Sequence, residues 1–331
     1  DIEYFSKLFP RAEGSVNEKE TLIAIAQRLS DYEIEFSEVS FEEVEGYHSY
    51  SSYIQADIKG ENEASIITIV PLTSNYNIAA ALSVLNHFKN KKPQLSLKFV
   101  FLGAEETGEN ALGSRNFLAN YYPESTSVFL YYNFKSSPEV IRIVSGADGI
   151  SSPYFLFDVV RTALDEAKIP RYHSNTESIL FRLSSAGTES RIKQYLQQDF
   201  PAIELTDYQF SFADPDKIIE SEPLNSFYDS LLNQFPNGIE DDWDSHFIFG
   251  FGEQFYLIVY ITVLALLMIF PIFRRRHFGW YMHTLNRNLW FIPVLLGSIF
   301  ACLAIGSVLV STILKILKFT ELWKFNPILV F

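Results

Sequence analysis

The sequence predicts a mixed α/β domain, a mainly parallel central sheet flanked by helices, followed by transmembrane α-helices. Three observations carry this. Between Ser65 and Phe134, apolar runs of strand length alternate with helix-periodic segments, the βαβ rhythm of a parallel sheet. An apolar fraction of 48% and an aromatic fraction of 16% over 331 residues supply a sizeable core and exclude a disordered chain. Two long charge-free runs, 255–273 and 289–314, close the sequence.

The elements follow in order. SVNEKETLIAIAQRL, from Ser15, opens with a cap-like Ser/Asn and places Leu22, Ile23, Ile25, Ala26 and Leu29 at helical spacing. YIQADI (53–58) alternates like a half-buried strand, and SIITIV (65–70) is the continuous apolar run of a central one. NIAAALSVLNHF (77–88) reads as a helix, LSLKFVFL (95–102) as a strand, 113–120 as the start of a helix, and SVFLYYNF (127–134) as a third strand. FLFDVVRTALDEA (155–167) and 189–197 are helix-like, and 202–205 is a strand. The acidic GIEDDWD (238–244) is the expected hinge.

Residues 1–253 hold 19 Lys+Arg against 39 Asp+Glu, and 254–331 hold 7 against 1. A domain of net charge −20 repels phosphate backbones, so no nucleic-acid partner is expected. Both terminal runs reach the roughly 18–20 residues that cross a bilayer core, which makes the lipid bilayer the expected partner. Trp280, Tyr281 and Trp290 lie near their ends, and Arg274, Arg275, Arg276 and Arg287 crowd the loop between. That loop is expected in the cytoplasm and the acidic domain on the extracytoplasmic side of an integral membrane protein. The expected organisation is a domain over 1–240, a linker over 241–254, spans at 255–273 and 289–314, a basic loop over 274–288 and a C-terminal segment over 315–331. The start at Asp1 and the apolar end NPILVF fit an upstream signal or anchor and further spans.

The chemistry gathers at Glu105 and Glu106, at the C-terminal end of the strand 95–102, where open α/β sheets place their sites. FLGAEETGENALGSRNF (101–117) resembles the signature of the M28 family of zinc aminopeptidases: an apolar strand, then A-E-E, then G-S-R before a helix. The flanking strands agree, FPAIELT (200–206) resembles the family's I-P-A-I-x-L-T strand, and YQFSFADPDKI (208–218) resembles its D-x-P-D-K-I tract. The resemblance runs from about Ser15 to Pro223. It implies a zinc-aminopeptidase-like sheet, with Glu105 at the general-base position and Glu106 at a metal-ligand position.

The other ligand positions implied by the resemblance are degenerate. The strand that should end His-x-Asp reads Val70-Pro71-Leu72, and the bridging aspartate falls on Ser74 or Asn75. The aspartate ending the third strand is Asn133, the last histidine is missing from 208–214, and an Asp-His pair falls on Arg191-Ile192. A catalytic zinc needs three protein ligands, and neutral amide or hydroxyl oxygens serve it poorly. Zinc is the family's cofactor, yet no cofactor is expected here.

No other catalytic system has a signature. His48, His87, His173, His246, His277 and His283 show neither H-x-D nor H-x₃-H spacing, Cys302 stands alone, and no G-x-S-x-G elbow or phosphate loop occurs. One of the two glutamates is then expected to cap the following helix, where exposed N–H groups meet a carboxylate. The expected function is a membrane-anchored M28-like domain, a pseudoenzyme that binds a protein or peptide partner in the old cleft or assists assembly. The alternative is an active extracytoplasmic aminopeptidase with atypical ligands.

Overall fold

A computed structural model describes residues 2–43, 49–105, 111–122, 125–135, 137–147, 149–173, 181, 190–208, 221–236, 238–239, 258–259 and 261–263. A short helix α1 (Ile2–Ser6) leads to α2 (Val16–Asp31), whose Ser15 cap accepts from the Glu18 N–H at 3.1 Å. Thr21, Leu22, Ala24, Ile25 and Leu29 form its buried stripe, and Ile23 points to solvent. Strands β1 (Glu35–Glu43) and β2 (Ser49–Ile58) form an antiparallel pair. β3 (Asn62–Pro71), α3 (Asn75–Phe88), β4 (Leu95–Leu102), α4 (Leu112–Asn120) and β5 (Ser127–Asn133) supply the expected alternation. β6 (Ile141–Val144), the small pair β7 (Gly146–Ala147) and β8 (Ile150–Ser151), α5 (Tyr154–Glu166), β9 (Arg171–Tyr172), α6 (Lys193–Leu196), β10 (Ala202–Asp207) and α7 (Ser221–Asn233) complete it.

Eight strands form one sheet in the order β1-β2-β4-β3-β5-β10-β6-β9. The centre β4-β3-β5-β10 is parallel, while β1–β2, β2–β4 and β10–β6 are antiparallel. Because side chains alternate along a strand, the central strands feed two cores. Ile66, Val70, Leu97, Phe99, Phe101, Val128, Leu130 and Tyr132 pack with α2, α3, α5 and α7 on one face. Ile67, Ile69, Val100, Leu102, Phe129 and Tyr131 pack with Phe117 of α4 and Tyr195 of α6 on the other. This double coverage explains why β3 reads as an unbroken apolar run: its last seven residues are all buried.

α7 is tied to the sheet by hydroxyls. The buried Tyr228 hydroxyl lies 2.7 Å from Thr68 Oγ1 and 2.9 Å from the Tyr132 hydroxyl. At the surface, Asp229 meets His87 of α3 at 2.8 Å, and Lys91 stands 2.6 Å from the same His87 nitrogen.

One expectation is corrected. The described fold is mixed α/β, and the transmembrane α-helices of the expected fold class are not found in it: among the described residues no helix is long and apolar enough to cross a membrane. A charge-free run is only one requirement for a span; a continuous apolar helix of about 20 residues is the other. The helix α2, at 16 residues, instead carries Glu18, Lys19, Glu20 and Arg28 and buries a single stripe. Of the run 255–273, residues 258–259 and 261–263 are described as helical; its remainder, the loop 274–288, the run 289–314 and the tail 315–331 lie outside the described residues.

The Tyr228→Phe substitution should cost about 1–3 kcal/mol, the price of stripping a buried hydroxyl pair of its shared partner. Urea unfolding of the full chain should show a lower midpoint at an unchanged slope.

Candidate functional site

The described ones among the expected site residues, Pro71, Leu72, Ser74, Glu105 and Asn133, lie at or just after the ends of the sheet's parallel strands. Pro71 pairs in register with Leu102, and Asn133 with Thr206, so the ends of β4, β3, β5 and β10 form one row. The chain leaves β4 through Gly103 and Ala104, and Ala104 takes a left-handed backbone (φ 54°) uncommon for alanine. Two buried carboxylates hold this turn.

Glu18 comes from the first turn of α2. Its carboxylate accepts from Ala104 N at 2.7 Å, Gly14 N at 2.6 Å and Ser51 Oγ at 2.8 Å. Gly103 is required here, because a Cβ would lie 2.1 Å from Glu18 Oε1 and 2.3 Å from Ser51 Oγ. Glu105 turns to the other face, where it is 2% exposed. It accepts from Ser114 N at 2.5 Å and from the Tyr131 hydroxyl at 2.7 Å. Ser114 is the third residue of α4, and Ala111, in the cap position of that helix, offers no side-chain cap. Glu105 therefore caps α4 from outside the helix, the structural role expected of one of the two glutamates. Gly113 admits this approach, since a Cβ there would stand 2.2 Å from Gly103 O and 2.9 Å from Glu105 Oε1. Tyr195 extends the network, with its hydroxyl 2.9 Å from Ser114 Oγ.

Burial raises the Glu105 carboxyl above its ordinary value of 4.5; the bonds from Tyr131 and Ser114 and the nearby Arg191 charge offset this only in part. Glu18 is raised as well, by burial first, against its bonds from Ser51, Gly14 and Ala104. The Tyr131 hydroxyl is pushed well above 10 by burial and by the adjoining Glu105.

The remaining positions are held by the fold. Pro71 ends β3, and Leu72, 2% exposed, gives its carbonyl to the Arg11 guanidinium at 2.8 Å. Ser74 caps α3, accepting from Tyr76 N at 3.2 Å, and Asn75 Oδ1 accepts from Arg11 at 2.5 Å. Asn133 donates to Glu204 at 2.7 Å, and the same buried carboxylate accepts from Ser190 Oγ at 2.8 Å and Arg191 N at 3.0 Å. Glu106 lies outside the described residues, as do His48, His246, His277 and His283. His173 follows β9, with β3, β5, β10 and β6 between it and β4, so it cannot reach Glu105. Burial, helped by Arg171, Arg142 and Arg161, lowers it to about 4. Among the described residues, no group of three or more His, Cys, Asp or Glu is placed to hold a metal ion. Among the described residues, the expected ligand positions offer an aliphatic pair, a capping hydroxyl and an amide already bonded to a carboxylate, which are poor donors for zinc.

Comparison of the fold with solved structures finds a glutaminyl cyclase of Bacteroides thetaiotaomicron at TM-score 0.51, with 14% identity over 72% of this chain and 96% of that one. A leucine aminopeptidase precursor of Bacteroides thetaiotaomicron VPI-5482 matches at TM-score 0.50, again with 14% identity, over 72% of this chain and 95% of the other. The fold is similar to that of these two proteins. A family model described as TP_0564_1st, a first domain, matches residues 106–258. No curated protein matches.

Sequence reasoning passed over Glu18, Glu204, Tyr131 and Arg11. Two of them left a signal: Ser15-x-x-Glu18 is a capping-box spacing, and Glu204 is a lone acid inside an apolar strand.

Replacing Glu105 with Ala should cost about 2–4 kcal/mol, combining a lost cap with a stranded Tyr131 hydroxyl; Gln, which keeps an acceptor, should cost less. The pH dependence follows from the raised carboxyl. Its folded value exceeds its unfolded one, so its stabilising contribution is complete below about 4.5 and is lost as pH rises through the folded value. Unfolding free energy measured against pH should therefore fall more steeply across that window in the wild type than in Glu105→Gln.

Proposed function

We propose that this domain is a binding or assembly module carried on a zinc-exopeptidase and glutaminyl-cyclase type scaffold, and that it performs no zinc-dependent catalysis. One observation carries the reading. Among the described residues, the side chains at the ligand and general-base positions are either apolar, as at Pro71 and Leu72, or already bonded within the protein, as at Ser74, Asn133 and Glu105. A general base needs a water or substrate proton within hydrogen-bond reach. Glu105 instead spends its oxygens on Ser114 and Tyr131 inside the protein. What the scaffold retains is a rigid row of strand ends, which suits recognition of a protein or peptide partner.

Metal analysis of the purified full chain, paired with hydrolysis of aminoacyl-naphthylamides, tests this. The expected result is substoichiometric zinc, no release of the amine, and a cellular role that survives Glu105→Gln. Stoichiometric zinc with chelator-sensitive release would instead establish an aminopeptidase with atypical ligands.

A further inference from the structure

The eight-stranded sheet has two unlike edges. One is β9, two residues long; the other is β1, nine residues long and paired only with β2 among the described residues. A strand in this position presents a row of backbone N–H and C=O groups on its outer side, the template on which extended segments pair. The side chains decide which segment is admitted.

β1 reads EFSEVSFEE, four glutamates without a lysine or arginine. Glu35 is answered by Lys59 at 3.0 Å. Glu38 and Glu42 are exposed, and at four residues apart they share one face of the strand, with Ser40 between them. Beside Glu42, a cavity of about 380 Å³ opens between α2 and the β1–β2 pair, lined by Glu18, Lys19, Leu22, Phe41, Glu42 and Tyr50 among others. Leu22 gives it apolar surface near the Glu42 carboxylate, to which the Tyr50 hydroxyl is bonded, while Phe41 turns to the opposite face of the strand. That pairing suits a lysine side chain, whose methylene stem lies on apolar surface while its ammonium meets a carboxylate.

A second copy of this chain is a poor occupant. Edge-to-edge pairing of two β1 strands would set glutamate rows against one another, and like charges across a strand pair are destabilising. We propose that the β1 edge is a strand-addition site for an extended basic segment of a partner protein, carrying two Lys or Arg residues four positions apart that face Glu38 and Glu42. The inference extends the binding role proposed above to a second surface, and its test reads no zinc, so either can fail alone.

The probe is a synthetic nonapeptide alternating valine with threonine, with lysines at its third and seventh positions, titrated calorimetrically into the full chain. The expected result is saturable binding, slowed amide exchange along β1, and loss of binding when glutamates replace the lysines. The double variant Glu38→Lys, Glu42→Lys should weaken it about tenfold, as two reversed cross-strand charge pairs imply. N-methylation of alternate peptide amides should abolish binding without touching the protein, which keeps the test decisive if the double variant folds poorly. No binding of the lysine peptide, binding that survives charge reversal in a folded variant, or binding without protection of β1 would overturn the proposal.

Discussion

The turn that leaves β4 is the point on which this architecture depends. Directly after Leu102 the chain stops a central strand and passes through a left-handed alanine, and by Leu112 it has entered α4. Glu18 holds the turn from one side through Ala104 N, and Glu105 holds it from the other through Ser114 N. Gly103 and Gly113 are the concessions that let the carboxylates and backbone approach so closely. Burying a carboxylate costs several kcal/mol. Charge-assisted bonds from backbone and hydroxyl donors return about 1.5–3 kcal/mol each. Glu18 has three such donors and Glu105 two, and burial still prevails in both, since each carboxyl is raised.

That balance gives Glu105 a sufficient reason to exist without chemistry. The helix it caps has no cap of its own, and the tyrosine it engages is fully buried. The same economy runs along the row of strand ends. Ser74 serves α3, Asn133 and Glu204 tie β5 to β10 and to the segment before α6, and Arg11 gathers the carbonyls of Phe5 and Leu72 with Asn75 and Thr21. These side chains bond to one another and to the backbone.

Much of this was legible in the sequence where local and tertiary signals agree. β3, α3, β4 and β5 are read correctly because burial on both faces writes strands as apolar runs and helices as 3.6-residue stripes. β1 was missed because an edge strand needs little apolar content, and EFSEVSFEE follows neither period. α7 was missed although Leu224, Phe227, Tyr228, Leu231 and Leu232 keep helical spacing. The residue types at the expected ligand positions are plain in the sequence. Their partners are not, because Glu18–Ala104 and Asn133–Glu204 join residues far apart in the chain. The terminal runs lie almost wholly outside the described residues, and no described helix is long and apolar enough to cross a membrane.

Linkage between zinc and folding tests the central claim most directly. A ligand that binds only the folded state raises its stability by RT ln(1 + [L]/Kd), so a true site reveals itself as a rising melting temperature. With Glu105 serving as a cap, thermal unfolding of the full chain should be the same in chelator and across a zinc titration, for the wild type and for Glu105→Gln alike. A saturable rise in melting temperature with zinc that disappears in Glu105→Gln would contradict the account.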